Sequence, residues 1–213
     1  MTRALITRLR WLAAASSLVM AAGAPLRAQG SDDIARIRVM IARPDVLCGT
    51  FAQSKTLVGL RKPVTSSGRF CVVAGRGVLW RTILPFASSI KLTHDEIVEY
   101  TGESVTKRLS AQQEPSVRTI NDLLFSVLSG ELTRLAATFD VLGKVGAADW
   151  QATLSPRDGG VKRVISRIDM QGGAYVSHID IREAGGDRTE ITFSSMATGK
   201  SAMLPADAKQ FER

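Results

Sequence analysis

Two cysteines and two histidines in 213 residues leave little for catalytic or metal chemistry to use. A hydrolase needs a nucleophile beside a base, and a metal centre needs several clustered ligands. His94 falls in a predicted turn. His178 and Asp180 would share one face of a strand, where such a pair reads as an ordinary surface or half-buried contact rather than a catalytic couple. The run TGKS at 198–201 has Ser194 where a phosphate-binding loop needs its first glycine, so the match is accidental. No enzyme activity, metal or cofactor is expected. Arginine and lysine form no dense block of the kind that marks a nucleic-acid footprint, so nucleic acid is not an expected partner.

Long apolar runs are also missing after the first residues. MTRALITRLR has three arginines and no acid, and residues 11–24 are apolar or small. That stretch falls short of the roughly 20 residues that span a bilayer as a helix, and Ala28 offers a small residue before a cut. Residues 1–28 therefore read as a secretory signal, without a twin-arginine pair and without a cysteine near the cut for lipidation. Removing Arg3, Arg8, Arg10 and Arg27 takes the formal charge from +8 to +4, a balance that suits an anionic membrane surface or an acidic partner patch. Residues 29–213 are enough for one domain with a substantial core, exported to the periplasm.

What remains alternates between short strands and turns. Ser31, Asp32 and Asp33 cap a short amphipathic helix whose Ile34, Ile37 and Ile41 make one apolar face, and Pro44 stops it. LCGTFAQSKTLVGL then reads as a strand turning through RKPVTSSG into GRFCVVA, with a bend at Gly75 and Gly77. SIKLT, IVEYT and VTKRLSA continue a meander; Thr93 and Glu96 imitate a capping box, but their neighbours are β-formers. After Pro115, residues 116–139 carry a helical stripe through Val117, Ile120, Leu124, Val127 and Leu128, bend at Ser129 and Gly130, and resume with Leu132, Leu135 and Phe139. DWQATLSP, VKRVISRIDMQ, AYVSHIDIRE and RTEITFSS are strands again, and the last residues dock loosely through Leu204 and Phe211. No internal repeat or low-complexity linker interrupts them.

One segment breaks the pattern of a half-buried strand. In GRFCVVAGRGVLWRTILPF, Phe70 and Val72 would point one way and Cys71 and Val73 the other, so both faces need a cover. Cys48 and Cys71 fall on neighbouring strands. A disulfide is permitted in an exported domain if the register brings them together; two small buried apolar side chains are the alternative.

Phe51 and Gln53 in FAQ, then Gly68, Trp80 and Pro85, resemble in order and spacing the outer-membrane lipoprotein carrier protein family, LolA and its relatives. The likeness covers nearly all of residues 31–213. It implies an α+β fold, an incomplete, open antiparallel β-barrel of about 10–11 strands with helices closing a hydrophobic cavity. It further implies a monomeric periplasmic carrier that binds the acyl chains of a lipoprotein or other lipid and shuttles them towards the outer membrane, with an inner-membrane donor complex and an outer-membrane receptor as partners. The family pattern has an Arg-Pro pair where this chain has Ala74 and Gly75; Arg76 is the candidate substitute for that lid arginine, and the departure marks a divergent branch whose cargo is a lipoprotein or another acylated or polyene lipid. On this reading Phe51, Phe70, Trp80 and Phe86 line the cavity from the sheet and Leu124, Val127, Leu128 and Leu135 from the helices. Without the resemblance, such stripes are ordinarily plain core. The rival class is a periplasmic binding or assembly protein with a filled core, acting through strand edges and basic surface.

Overall fold

A computed structural model describes residues 27–102, 104–110, 112, 125, 126 and 135–212. Eleven strands form one antiparallel sheet. They are β1 (Val46–Thr56), β2 (Val64–Val73), β3 (Gly77–Leu84), β4 (Ser88–Leu92), β5 (Glu96–Thr101), β6 (Ser104–Ser110), β7 (Phe139–Val145), β8 (Trp150–Pro156), β9 (Ile165–Gly172), β10 (Val176–Glu183) and β11 (Arg188–Thr198). The order across the sheet is β6-β5-β4-β3-β2-β1-β11-β10-β9-β8-β7. Two meanders are thus zipped together by the pairing of β1 with β11, where Phe51 stands opposite Phe193. The sheet is not closed: β6 and β7, consecutive in the chain, are its two edges.

Alternation sorts the strands into two faces. The inner face gathers Phe51, Phe70, Val72, Val78, Leu154, Ile168, Met170, Ile179, Ile191 and Phe193 into one continuous buried cluster. Helix α1 (Arg27–Met40) lies against it at β7, with Ile37 and Ile41 buried as the apolar stripe predicts. The fit is close: a Cβ on Gly143 of β7 would stand 2.9 Å from Ile37 Cδ1 and 3.0 Å from Ile34 Cδ1. The helix begins at Arg27, ahead of the predicted cap at Ser31, and it ends at Met40, four residues before Pro44.

The outer face has its own cover, which answers the puzzle of the doubly apolar strand. Cys48, Cys71, Val73 and Leu79 form a second buried cluster with Phe211, which belongs to α3 (Pro205–Glu212). A 3-10 turn (Lys200–Ala202) leads into that helix, and Ala202 and Met203 pack on the same cluster. So the chain end does more than dock loosely. Phe211 is 6% exposed, although Leu204, its predicted companion, remains 45% exposed. Three cations, two on strands and one in the β2–β3 turn, hold the helix. Lys91 Nζ donates to Gln210 O at 2.7 Å and Arg76 Nη2 to Phe211 O at 3.0 Å, placing positive charge on the unpaired carbonyls of the helix C-terminus. Arg81 Nη2 lies 2.8 Å from the buried carboxylate of Asp207, an ionic contact without an aligned N–H. Burial pulls the Lys91 ammonium below its ordinary pKa; Glu96 opposes this, and the nearby positive charges of Arg76 and Arg108 add to it.

Three elements differ from the sequence reading. β7 lies in FDVLGKV, where no strand is expected; its alternation is masked by Gly143 on the inner face. The expected turn RDGG runs into a single helical turn, α2 (Gly159–Lys162), because Asp158 accepts hydrogen bonds from Gly160 N and Val161 N. The chain end is a helix rather than an irregular tail. The predicted helical stretch 116–139 falls mostly outside the described residues; of those described, Phe125, Ser126 and Leu135 are helical, while 136–138 form a turn and Phe139, expected on the helical stripe, opens β7.

Candidate functional site

The inner face of β1, β2, β3 and β11 carries a compact group of four aromatic rings. Phe51 stacks on Trp80 with centroids 3.8 Å apart, while Phe193 meets Phe70 edge-on at 5.2 Å and Trp80 at 6.0 Å. Phe70 stands 6.3 Å from Trp80. Gly68 makes this possible. It lies directly across from Phe51 at a register shift between β2 and β3, and an added Cβ would fall 1.9 Å from Arg81 O and 3.0 Å from the Phe51 ring. The bare backbone at Gly68 lets the Phe51 ring lie over β2 and reach Trp80. Trp80 is only half-buried, so the cluster presents one aromatic surface that the described residues do not fully cover.

Of the predicted cavity residues, Phe51, Phe70 and Trp80 come together in this group, and Leu135 joins the same inner cluster beside Phe125. Phe86 is set apart. It is 83% exposed, because it follows β3 in the turn beyond the cis bond of Leu84–Pro85, where no strand holds it over the inner face. Leu124, Val127 and Leu128 lie outside the described residues. Gln53 follows Phe51 by two positions on β1, half-buried, opposite Ile191 of β11. Arg76 sits in the β2–β3 turn with its guanidinium on Phe211 O, so its side chain is directed to the outer face and the chain end rather than to the aromatic group. Cys48 and Cys71 stand directly opposite each other on β1 and β2 and are joined in a disulfide under α3.

Phe193 is the member that sequence reasoning missed. The alternation of Ile191 and Phe193 in RTEITFSS was the available signal, but only the β1–β11 pairing carries it to Phe51. His94, at the β4–β5 turn, stacks on Phe125 with ring centroids 4.7 Å apart. His178 and Asp180 do not pair: His178 Nδ1 is 3.3 Å from Thr192 Oγ1, and Asp180 receives two hydrogen bonds of 2.9 Å from Arg188. Among the described residues no group of three or more histidines, cysteines or carboxylates has metal-binding geometry.

A cleft of about 430 Å³ opens over β7 to β10. Lys144, Gln151, Thr153, Arg167, Asp169 and His178 line it from positions that alternate with the buried inner residues, and Leu142, Ala152 and Met170 add apolar lining. Within it Arg167 donates twice to Asp169 at 2.7 Å and Thr153 donates to the same carboxylate. Hydrogen bonds from Arg167 hold Asp169 below its ordinary pKa, and those from Arg188 do the same for the buried Asp180. Because these folded-state values are depressed, the stability they contribute is complete above the ordinary carboxylate pKa and is lost as pH falls through the lower folded value. The melting temperature is expected to hold from neutral pH to about pH 5 and fall below about pH 4. Asp180→Asn should flatten that acid limb; an identical limb in the variant would remove Asp180 as its source.

The fold is thus an open antiparallel sheet with an apolar, aromatic inner face and a disulfide-braced outer layer. A family profile described as outer membrane lipoprotein carrier protein LolA-like matches residues 25–211. The chain belongs to this LolA-like family. Among solved structures it is similar to a LolA superfamily protein from Nitrosomonas europaea, at 10% identity over 86% of this chain and 97% of that one, with a TM-score of 0.47. It is also similar to a DUF1329 family protein from Desulfovibrio piger, at 14% identity over 84% and 95% of the two chains, with a TM-score of 0.45. LprF from Mycobacterium bovis matches at 9% identity over 82% of this chain and 94% of that one, with a TM-score of 0.36. No curated protein matches the chain. Among the described residues no helix is long and apolar enough to cross a membrane.

Proposed function

We propose that this chain is a periplasmic lipid carrier, binding the acyl chains of a lipoprotein or other lipid against the inner face of the sheet and carrying them towards the outer membrane. The observation that supports it most is the aromatic group of Phe51, Phe70, Trp80 and Phe193, which ends in a half-buried tryptophan on an otherwise buried apolar face. Family membership supports a binding and carrying role over catalysis. The energetics suit it: burying about fifteen methylenes at about 0.8 kcal/mol each gives on the order of 12 kcal/mol against water, enough to hold a lipid in solution. Release needs less than that gain, since closing the empty site over its own apolar lining offsets part of it. Leu124, Val127 and Leu128 are proposed to face the same space, with a donor complex at the inner membrane and a receptor at the outer one.

Uptake of a fluorescent long-chain fatty acid by the purified protein tests this reading. Wild type should bind it and carry co-purified amphiphile in native mass spectrometry. Trp80→Ser should lower uptake about tenfold while keeping a cooperative melt, since Trp80 is half-buried and its loss removes an aromatic contact surface. A bare polypeptide with no uptake would instead favour a filled core acting through protein contacts.

A further inference from the structure

Strand direction brings the β1–β2, β3–β4, β5–β6 and β10–β11 turns to one end of the sheet, together with the start of β9: Ser67 pairs with Leu84, Thr101 with Ser104, Thr56 with Arg188 and Glu183 with Ile165. Eight of the eleven large apolar side chains that are exposed among the described residues lie on this rim. Six of them, Val58, Leu60, Val64, Ile83, Leu84 and Phe86, come from the adjacent β1–β2 and β3–β4 connections, with Val58 70% and Phe86 83% exposed. Scattered exposed apolar residues need no explanation, but a concentration at one end does. The other end has His94 stacked on Phe125 and Arg76 tied to the chain end.

On the β1–β2 and β3–β4 part of this rim charge is of one sign. Segments 57–64 and 82–88 contain no acid, and Arg61 and Lys62 are exposed between Leu60 and Val64 without an ion-pair partner among the described residues. The β1–β2 turn is held in place rather than loose: Val58 N donates to Asp187 Oδ1 at 2.8 Å, Leu60 N to Leu57 O at 3.0 Å, and Gly186 leaves room for the Val58 side chain. Apolar tips flanked by unpaired cations on a fixed turn are the combination that partitions into the headgroup region of an anionic bilayer, the tips entering the acyl boundary and the cations meeting phosphate. We infer that this rim is a membrane-docking edge that recognises anionic lipid surfaces. It goes beyond the carrier reading and does not require it, though it would place the bilayer at the end of the same sheet that carries the aromatic face.

Co-flotation of the protein with vesicles tests it, using phosphatidylcholine alone and an equal mixture of phosphatidylcholine and phosphatidylglycerol. Wild type should float with the mixed vesicles, release at high salt, and float poorly with the neutral ones. The pair Leu84→Asp and Phe86→Asp should weaken binding about tenfold, and Arg61→Glu with Lys62→Glu by a similar factor on mixed vesicles only. Both pairs alter exposed positions, so their melting curves should match wild type; should the Leu84 and Phe86 pair fail to fold, Val58→Asp with Leu60→Asp probes the neighbouring turn. No flotation of wild type, equal flotation with both vesicle types, or flotation unchanged in every variant overturns the inference. Fatty-acid uptake measured on the same samples separates the two readings, since vesicle binding without uptake would sink the carrier role and leave the docking edge standing.

Discussion

Gly68→Ala is expected to destabilise the domain by about 3 kcal/mol or more, a larger effect than alanine at the other glycines compared here. The added methyl would fall 1.9 Å from Arg81 O, a backbone atom of the paired strand that moves only if β2 and β3 part. Gly143→Ala should cost less, because the atoms it meets at 2.9 Å and 3.0 Å are the flexible ends of Ile37 and Ile34. At Gly75 no atom lies within 4 Å, and the penalty there comes from a φ of +68 alone. Urea midpoints should therefore order the three variants with Gly68→Ala lowest. That substitution should also change Trp80 emission, because the methyl pushes on the Phe51 ring that covers the indole. A midpoint equal to wild type would mean that the register shift at Gly68 can relax, and the aromatic group would lose its explanation.

Much of this arrangement is legible in the sequence. The Ile34, Ile37 and Ile41 stripe and the meander from β2 to β6 follow from spacing and residue type, because period-2 and period-3.6 burial are local properties, whereas Phe51, Gly68 and Trp80 stand out through the family resemblance. What was not legible depends on pairings between distant segments. Phe193 joins Phe51 only because β11 returns beside β1, a separation no local pattern encodes. Phe86 looked like a cavity residue by proximity to Trp80, yet the chain has left the strand by that point and the ring is exposed. Arg76 was the candidate lid arginine because it stands just after Ala74 and Gly75, which replace the family's Arg-Pro pair; its partner is the carbonyl of Phe211, 135 residues away. The disulfide stayed open for the same reason, since it needed the register that sets Cys48 opposite Cys71.

That register leads to the second large effect. Phe211→Ala is expected to cost about 3 kcal/mol, in the range for removing a buried aromatic ring, and to expose the disulfide to reductant. Cys48 and Cys71 are each 1% exposed, and the cover over them is an eight-residue helix with few other apolar anchors, held by Phe211 and by contacts from Lys91, Arg76 and Arg81. Removing the ring leaves a short helix tied mainly by polar contacts, which water can replace once the helix lifts. Lifting it strips the partners from Lys91 and Arg81 together, so the helix should detach as a unit. Dithiothreitol should then reduce the variant faster than wild type, and reduction should remove a further increment of about 2–4 kcal/mol by releasing the constraint between β1 and β2. Lys91→Met separates the two contributions: it keeps an apolar stem over the sheet and deletes the charge on Gln210 O, so it should speed reduction far less than Phe211→Ala. Equal reduction rates in wild type and Phe211→Ala would show that the helix does not guard the sulfurs, and the outer layer would then brace the sheet through the disulfide alone.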